Sequence, residues 1–372
     1  MTFDRRIFNF AAGPATLPEE VLKQAADEML NWRGLGTSVM EISHRSKEFM
    51  EVYEEVLRDL RTLMNIPDAY EILLLQGGGL GQNAAIPMNL MPLAKNGPKA
   101  DYIVTGIWSE KSYKEAQKYG IANLAATSAA ENATSAAEKF NTIPLRSTWK
   151  LSNDAAYVLY CANETIGGVE FPDVPDVGST PLVADISSNI LSKEMDINRC
   201  AVWFAGAQKN IGPSGVTIVI IRKDLIGHSM SITPTIWDWA IQANTQSMIN
   251  TPPTFSIYMA GLGFKWLLKQ GGVKVIEKRN QEKAELLYNF LDQSSLYENR
   301  VTKEYRSRMN VTFFLKDENL NAEFLAQSNA AGLVALRGHK AAGGMRASIY
   351  NAMPIEGVKA LIEFMRDFER RA

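Results

Sequence analysis

Between residues 72 and 221 the chain alternates short apolar runs with segments of helical periodicity, and this rhythm restricts the fold more than any other feature. Ile72–Leu75, Tyr102–Val104, Tyr157–Tyr160, Leu182–Ala184 and Ala201–Phe204 are apolar at every position, and Val216–Ile221 is strongly β-prone. A strand with no polar face is buried on both sides, which occurs in a mostly parallel sheet covered by helices. The predicted fold class is therefore α/β, a mostly parallel sheet flanked by helices. Predicted helices cover Leu17–Trp32 (opened by Thr16 and Pro18), Ser46–Leu63, Gly81–Met91 and Glu110–Tyr119. Another covers Phe255–Leu268 and stops at Gly271-Gly272.

Past Lys269 the pattern changes. A long charged helix (273–291) leads to strand Asn310–Leu315, helix Ala322–Ala331, strands Leu333–Leu336 and Met345–Tyr350, and a closing helix Pro354–Arg370. That order predicts a smaller α+β unit. A chain of 372 residues with 46% hydrophobic content can bury two cores. The expected division is a large domain at 16–268, a small domain at 269–372, and an irregular N-terminal arm at 1–15. Ala126–Asn132 recurs almost unchanged as Ala133–Lys139. Small and polar, this duplication predicts a surface insertion or short exposed helix without chemistry.

A formal net charge of −2 and a pI near 6.1 give no electrostatic case for nucleic acid or an anionic membrane. Cys161 and Cys200 sit in apolar runs, with no disulfide framework or C-x-x-C spacing, and His44, His228 and His339 are too scattered for a metal motif. No apolar run reaches membrane-spanning length and the first residues lack a signal-like core. A cytoplasmic protein is expected.

Chemistry is expected where apolar runs end. Lys209 lies in a turn between Val202–Phe204 and Val216–Ile221. Confinement there lowers a lysine pKa and frees the amine to form an imine, although a snorkelling loop lysine reads the same way. Gly77-Gly-Gly-Leu-Gly81 follows a buried run and opens a helix, an anion site of monophosphate size or a structural turn. Asp185 ends another run, as a ligand for a protonated ring nitrogen or as a helix cap. Trp108 offers a stacking face and Thr165 a hydroxyl. A phosphate turn, an aromatic, an aspartate and a lysine 24 residues beyond it together match the needs of pyridoxal phosphate.

Longer blocks carry a resemblance. Phe8-Asn-Phe10, Gly34–Glu41, Ser43-His-Arg45, Asn163-Glu-Thr165, Ala205–Pro213, Asn250–Thr254 and Gly343–Pro354 are similar to those of the phosphoserine aminotransferase family, within the class V, fold-type I pyridoxal-phosphate enzymes. The resemblance spans nearly the whole chain. It implies that Lys209 bonds the cofactor, Asp185 pairs with its ring nitrogen, Trp108 stacks on it and Thr165 bonds its 3-oxygen. It further implies that Gln208 and the backbone at Gly79 and Leu80 hold the phosphate, joined by Asn250 and Thr251 from the second subunit of a homodimer. Arg346 would clamp the substrate α-carboxylate. His44 and Arg45, also from the second subunit, with His339 and Lys340, would face the distal anion. The implied reaction moves an amino group between L-glutamate and 3-phosphohydroxypyruvate, giving O-phospho-L-serine and 2-oxoglutarate. That places the chain in serine biosynthesis, with a related step towards pyridoxine in some bacteria.

Three positions depart from the pattern of well-known bacterial members. Leu80 and Lys340 stand where those carry arginine, and Ala12 where they carry serine. Loss of a fixed cation at Leu80 predicts a weaker grip on the distal anion. The alternatives are another class V aminotransferase with altered distal-anion specificity, a desulfurase, which would need an exposed cysteine, or a catalytically silent homologue that binds the cofactor.

Overall fold

The computed structural model describes residues 6–372; part of the predicted arm (residues 1–5) lies outside them. Seven strands form the central sheet in the order Tyr70–Leu75, Thr217–Arg222, Val202–Gly206, Leu182–Asp185, Val158–Cys161, Lys99–Val104 and Ile121–Thr127. Thr217–Arg222 runs antiparallel to both its neighbours; the other pairs are parallel. This is the predicted α/β fold, and the direction of each strand has a functional consequence. Leu75, Val104, Cys161, Asp185 and Gly206 all end on one edge of the sheet. The open edge at strand carboxyl ends is where α/β sheets take ligands.

Each apolar run became a strand because both its faces are covered. Ile72, Leu74, Val158, Tyr160, Ala184, Trp203 and Ile218 face one apolar cluster, and Leu73, Leu75, Tyr102, Leu159, Val183, Phe204 and Val219 face another. Helix Lys47–Met64 packs on the first side. Ser46 caps its amino end by accepting from the Phe49 amide, and Phe49, Val52, Tyr53, Val56, Leu60 and Leu63 repeat at helical spacing on its buried face. Helix Thr254–Lys269 lies against it.

The second core lies under a three-stranded antiparallel sheet, Tyr297–Glu298, Asn310–Leu315 and Met345–Ser348, with helices Asn321–Ala330 and Ile355–Glu369. Helix Val273–Gln293 serves both cores. Val273 and Ile276 pack in the first, and Ala284, Leu287 and Leu291 in the second.

Several boundaries differ from the sequence reading. The first helix covers only Glu19–Asp27, because Pro18 is extended (ψ 134°) and stands outside it. Ile121–Thr127 is an unpredicted edge strand: Ile121, Leu124 and Thr127 are exposed, and Asn123 interrupts its apolar positions. The strand expected at Leu333–Leu336 stops at Val334, since Ala335 adopts φ 62°. The N-terminal arm is not wholly irregular. Phe8–Asn9 pairs in parallel with Leu333–Val334, and Phe10 is buried in the second core. The duplication meets the expectation of a short helix only in its second copy. Its first copy begins inside the edge strand, and the second forms a short helix, Ala136–Lys139, whose Ala137 is buried with Ile166, Phe314 and Ala342.

Candidate active site

Lys209 occupies the turn that follows Val202–Gly206, and its Nζ donates to the Thr165 hydroxyl at 2.6 Å. The same Nζ stands 5.0 Å from the centre of the Trp108 ring. Burial lowers the lysine pKa; Asp185, foremost among the acidic groups nearby, opposes the shift, and the charge of Arg346 adds to it. The amine is therefore deprotonated more easily than a surface lysine, which suits a nucleophile.

Thr165 connects two cations. Its hydroxyl accepts from Lys209, and its carbonyl accepts from Nη1 of Arg346 at 3.2 Å. Arg346 comes from the small sheet, half-buried, and forms no ion pair among the described residues. A guanidinium removed from water without a counter-ion is a site waiting for an anion, and its flat fork suits a carboxylate.

Asp185 is 8% exposed at its strand's carboxyl end, and its Oδ1 accepts from the Ser187 amide at 2.9 Å. A local turn bond therefore coexists with the candidate role, and no basic side chain pairs with the carboxylate among the described residues. Its Oδ2 lies 3.9 Å from where a Cβ on Gly79 would stand, so the glycine turn and Asp185 meet at the sheet edge. The helix there begins at Gly78, three residues before the predicted start. Gly77, at φ 91°, turns the chain into it, and a Cβ at Gly77 would come within 2.6 Å of the Trp237 ring. The amides at Gly79 and Leu80 thus sit in the first turn of a thirteen-residue helix, the end that favours anions.

Trp108 lies in the first turn of helix Ile107–Ala116, which starts three residues before the sequence reading placed it. The cause is Glu164, a residue the sequence reading passed over. Its carboxylate accepts from the amides of Trp108 (3.0 Å) and Ser109 (2.8 Å) and from the Ser109 hydroxyl, capping the helix from 55 residues away. Gly106 is required by this approach, because a Cβ there would overlap the Glu164 side chain. A helix opening on glycine, with no cap of its own, was the only signal available. Nε1 of Trp108 is buried with no partner.

The remaining predicted residues are placed as follows. Gln208 folds back over Gly206, beside Lys209. His339 and Lys340 sit on the loop before Arg346, where burial and the charges of Arg346, Lys111 and Lys340 lower the histidine pKa. Leu80 is 58% exposed. His44 is half-buried and Arg45, Asn250 and Thr251 are exposed; Arg45 Nε donates to His44 at 3.3 Å, and the Thr251 carbonyl accepts from Gln76, beside the glycine turn, at 3.3 Å. The N-terminal arm covers the lysine turn. The Ala15 amide donates to the Gln208 carbonyl, and the Tyr350 hydroxyl to that of Ala12. A cleft of about 470 Å³ beside Leu63, Leu191 and Val273 contains none of these residues.

The donor set fits pyridoxal phosphate. It offers an enclosed amine, an unpaired carboxylate for a pyridine nitrogen, an indole face whose buried Nε1 is free, and helix amides for a phosphate. Comparison with known proteins agrees. The aminotransferase class-V profile matches residues 7–361. A phosphoserine aminotransferase of Paraburkholderia phymatum is 60% identical over 98% of this chain and 99% of its own. The structure of phosphoserine aminotransferase from Bacillus circulans subsp. alkalophilus superposes with a TM-score of 0.93 at 43% identity, covering 98% of this chain and 99% of that one. A phosphoserine aminotransferase from Trichomonas vaginalis, described as bound to pyridoxal phosphate, does so at 0.91 and 42%, covering 97% and 100%. The chain belongs to the class-V aminotransferase family and, within it, to the phosphoserine aminotransferases.

Proposed function

We propose that the chain exchanges an amino group between L-glutamate and 3-phosphohydroxypyruvate, with pyridoxal phosphate as cofactor, giving O-phospho-L-serine and 2-oxoglutarate. The observation that carries this reading is the Lys209–Thr165–Arg346 connection: a nucleophilic amine and an unpaired guanidinium fixed to one residue. Bound pyridoxal phosphate supplies an aldehyde that condenses with amines and a ring that accepts electrons from the substrate Cα.

The chain's own residues supply the rest. Arg346 holds the α-carboxylate and so orients the Cα–H bond toward the lysine. Lys209 would bond the cofactor and, once its amine is free, would take up and return the proton of the substrate Cα. Asp185 would keep a proton on the pyridine nitrogen, Trp108 would stack on the ring and Thr165 would bond its 3-oxygen. The Gly79 and Leu80 amides and Gln208 would anchor the phosphate.

A homodimer completes this reading, with His44 and Arg45 and with Asn250 and Thr251 serving the other subunit's site. In support, these residues lie beside Met40 and Ile249, which are 56% and 38% exposed, large and apolar. The same proposal assigns residues 16–268 and 269–372 to two domains joined through helix Val273–Gln293, and places the protein in the cytoplasm. A desulfurase reading is disfavoured: Cys161 and Cys200 are both buried, and burial pushes both thiols well above the usual range.

Purified protein is expected to be yellow, and to lose that visible band when either L-glutamate or O-phospho-L-serine is added. A band indifferent to both amino acids overturns the proposal. A second expected outcome concerns Glu164. Glu164→Gln places an amide N–H against donors that need an acceptor, which loosens the turn carrying Trp108. The dissociation constant for pyridoxal phosphate is expected to rise about tenfold, measured by equilibrium dialysis of the apo chain.

A further inference from the structure

Lys111 stands one helical turn past Trp108, and its Nζ lies 4.5 Å from the centre of the indole ring. It forms no ion pair among the described residues. The adjacent carboxylate, Glu110, is already held by Lys114 at 3.1 Å and Lys139 at 2.8 Å. Lys111 is therefore a cation beside the site with its charge uncommitted.

The second copy of the duplication explains what it faces. Its helix Ala136–Lys139 acts as a strap between two elements. Lys139 grips Glu110 on the Trp108 helix, and the Ala136 amide donates to the Ala341 carbonyl at 2.8 Å. Ala137 and Ala342 share an apolar cluster against which Ile107 and Trp108 pack. The strap thus draws the loop carrying His339 and Lys340 up to the helix carrying Lys111. The Lys111 charge is felt at His339, together with those of Arg346 and Lys340. Among the described residues none of Lys111, Lys340 and Arg346 has a carboxylate partner within 4.0 Å. A group of cations held together without counter-ions is stabilised by a bound anion.

We infer that Lys111 is a specificity-determining residue, supplying with His339 and Lys340 the charge that binds the distal anion of the substrate, the phosphate most of all. This rests on the reaction proposed above and identifies a binding group for it. It also revises the expectation drawn from Leu80: the cation missing at that position is offset by one on the neighbouring helix. A lysine is a point charge on a flexible stem, so it serves a phosphate dianion better than a γ-carboxylate monoanion.

The test compares wild-type holoenzyme with Lys111→Gln and Lys111→Arg, titrating the visible band with O-phospho-L-serine and, separately, with L-glutamate. Lys111 is exposed, so either variant folds. Lys111→Gln is expected to raise the half-saturating phosphoserine concentration about tenfold and that of glutamate by no more than about threefold. Lys111→Arg is expected to stay near wild type. An unchanged phosphoserine titration in Lys111→Gln overturns the assignment, and so does equal weakening towards both donors. A wild-type band that ignores phosphoserine overturns instead the parent reading, and this inference with it.

Discussion

Lys209→Ala is expected to remove the band that marks cofactor bonded to the protein and to lower turnover by about four orders of magnitude, the scale of a lost acid–base and nucleophilic group. The band is read by absorbance after dialysis, and turnover by product formation with both substrates in excess. The apo variant is expected to be no less stable than wild type. Among the described residues the Lys209 side chain makes one hydrogen bond, to Thr165, and its ammonium is held against the cost of burial. Removing it therefore relieves about as much as it loses. A variant that kept both band and turnover would show that another amine carries the chemistry.

The second large effect is on stability. Lys283 is 2% exposed in helix Val273–Gln293, and its Nζ donates to the carbonyls of Ile349, Tyr350 and Met353. Those residues directly follow the strand that carries Arg346. Nearby, Asn351 accepts from Asn280, donates to the Leu191 carbonyl, and offers its amide to Asn210, the residue after Lys209. Lys283→Met keeps the packing volume but strands three carbonyls. We expect a loss of about 3–5 kcal/mol, measured as a lower denaturant midpoint. The pH dependence has a definite sign. Burial pulls the Lys283 pKa down to about 7, so above that pH the native state has released a proton that the unfolded chain keeps up to about 10.4. Wild-type stability therefore gains from this group as pH rises from about 7 to 10, and Lys283→Met is expected to lack that rise.

Much of the large sheet was legible because its strands announce themselves. Runs such as Leu182–Asp185 are buried on both faces and leave no polar alternation to misread. Parallel pairing then turns sequence position into place, since Cys161, Asp185 and Gly206 each end a strand at the same edge. Trp108, Thr165 and Lys209 were legible as residues just beyond such ends. Glu164 was not, because its job is to cap a helix distant in sequence. Lys283 reads in the sequence as one charge on an amphipathic helix; only the loop folded over it shows that it is buried. Lys111 was hidden in the same way, its value set by a loop more than two hundred residues away. The pairing of Phe8–Asn9 had no local sign, since a two-residue strand has no periodicity.

That pairing sets the order in which the protein can be finished during synthesis. The arm that covers the Lys209 turn is made more than three hundred residues before its strand partner, Leu333–Val334. The large sheet can assemble by local parallel units while translation continues, but the arm must wait, because such a contact closes only after its distant partner exists. Arg346 arrives later still. The amine and its guanidinium can therefore meet only after synthesis has passed Arg346, well over a hundred residues beyond Lys209.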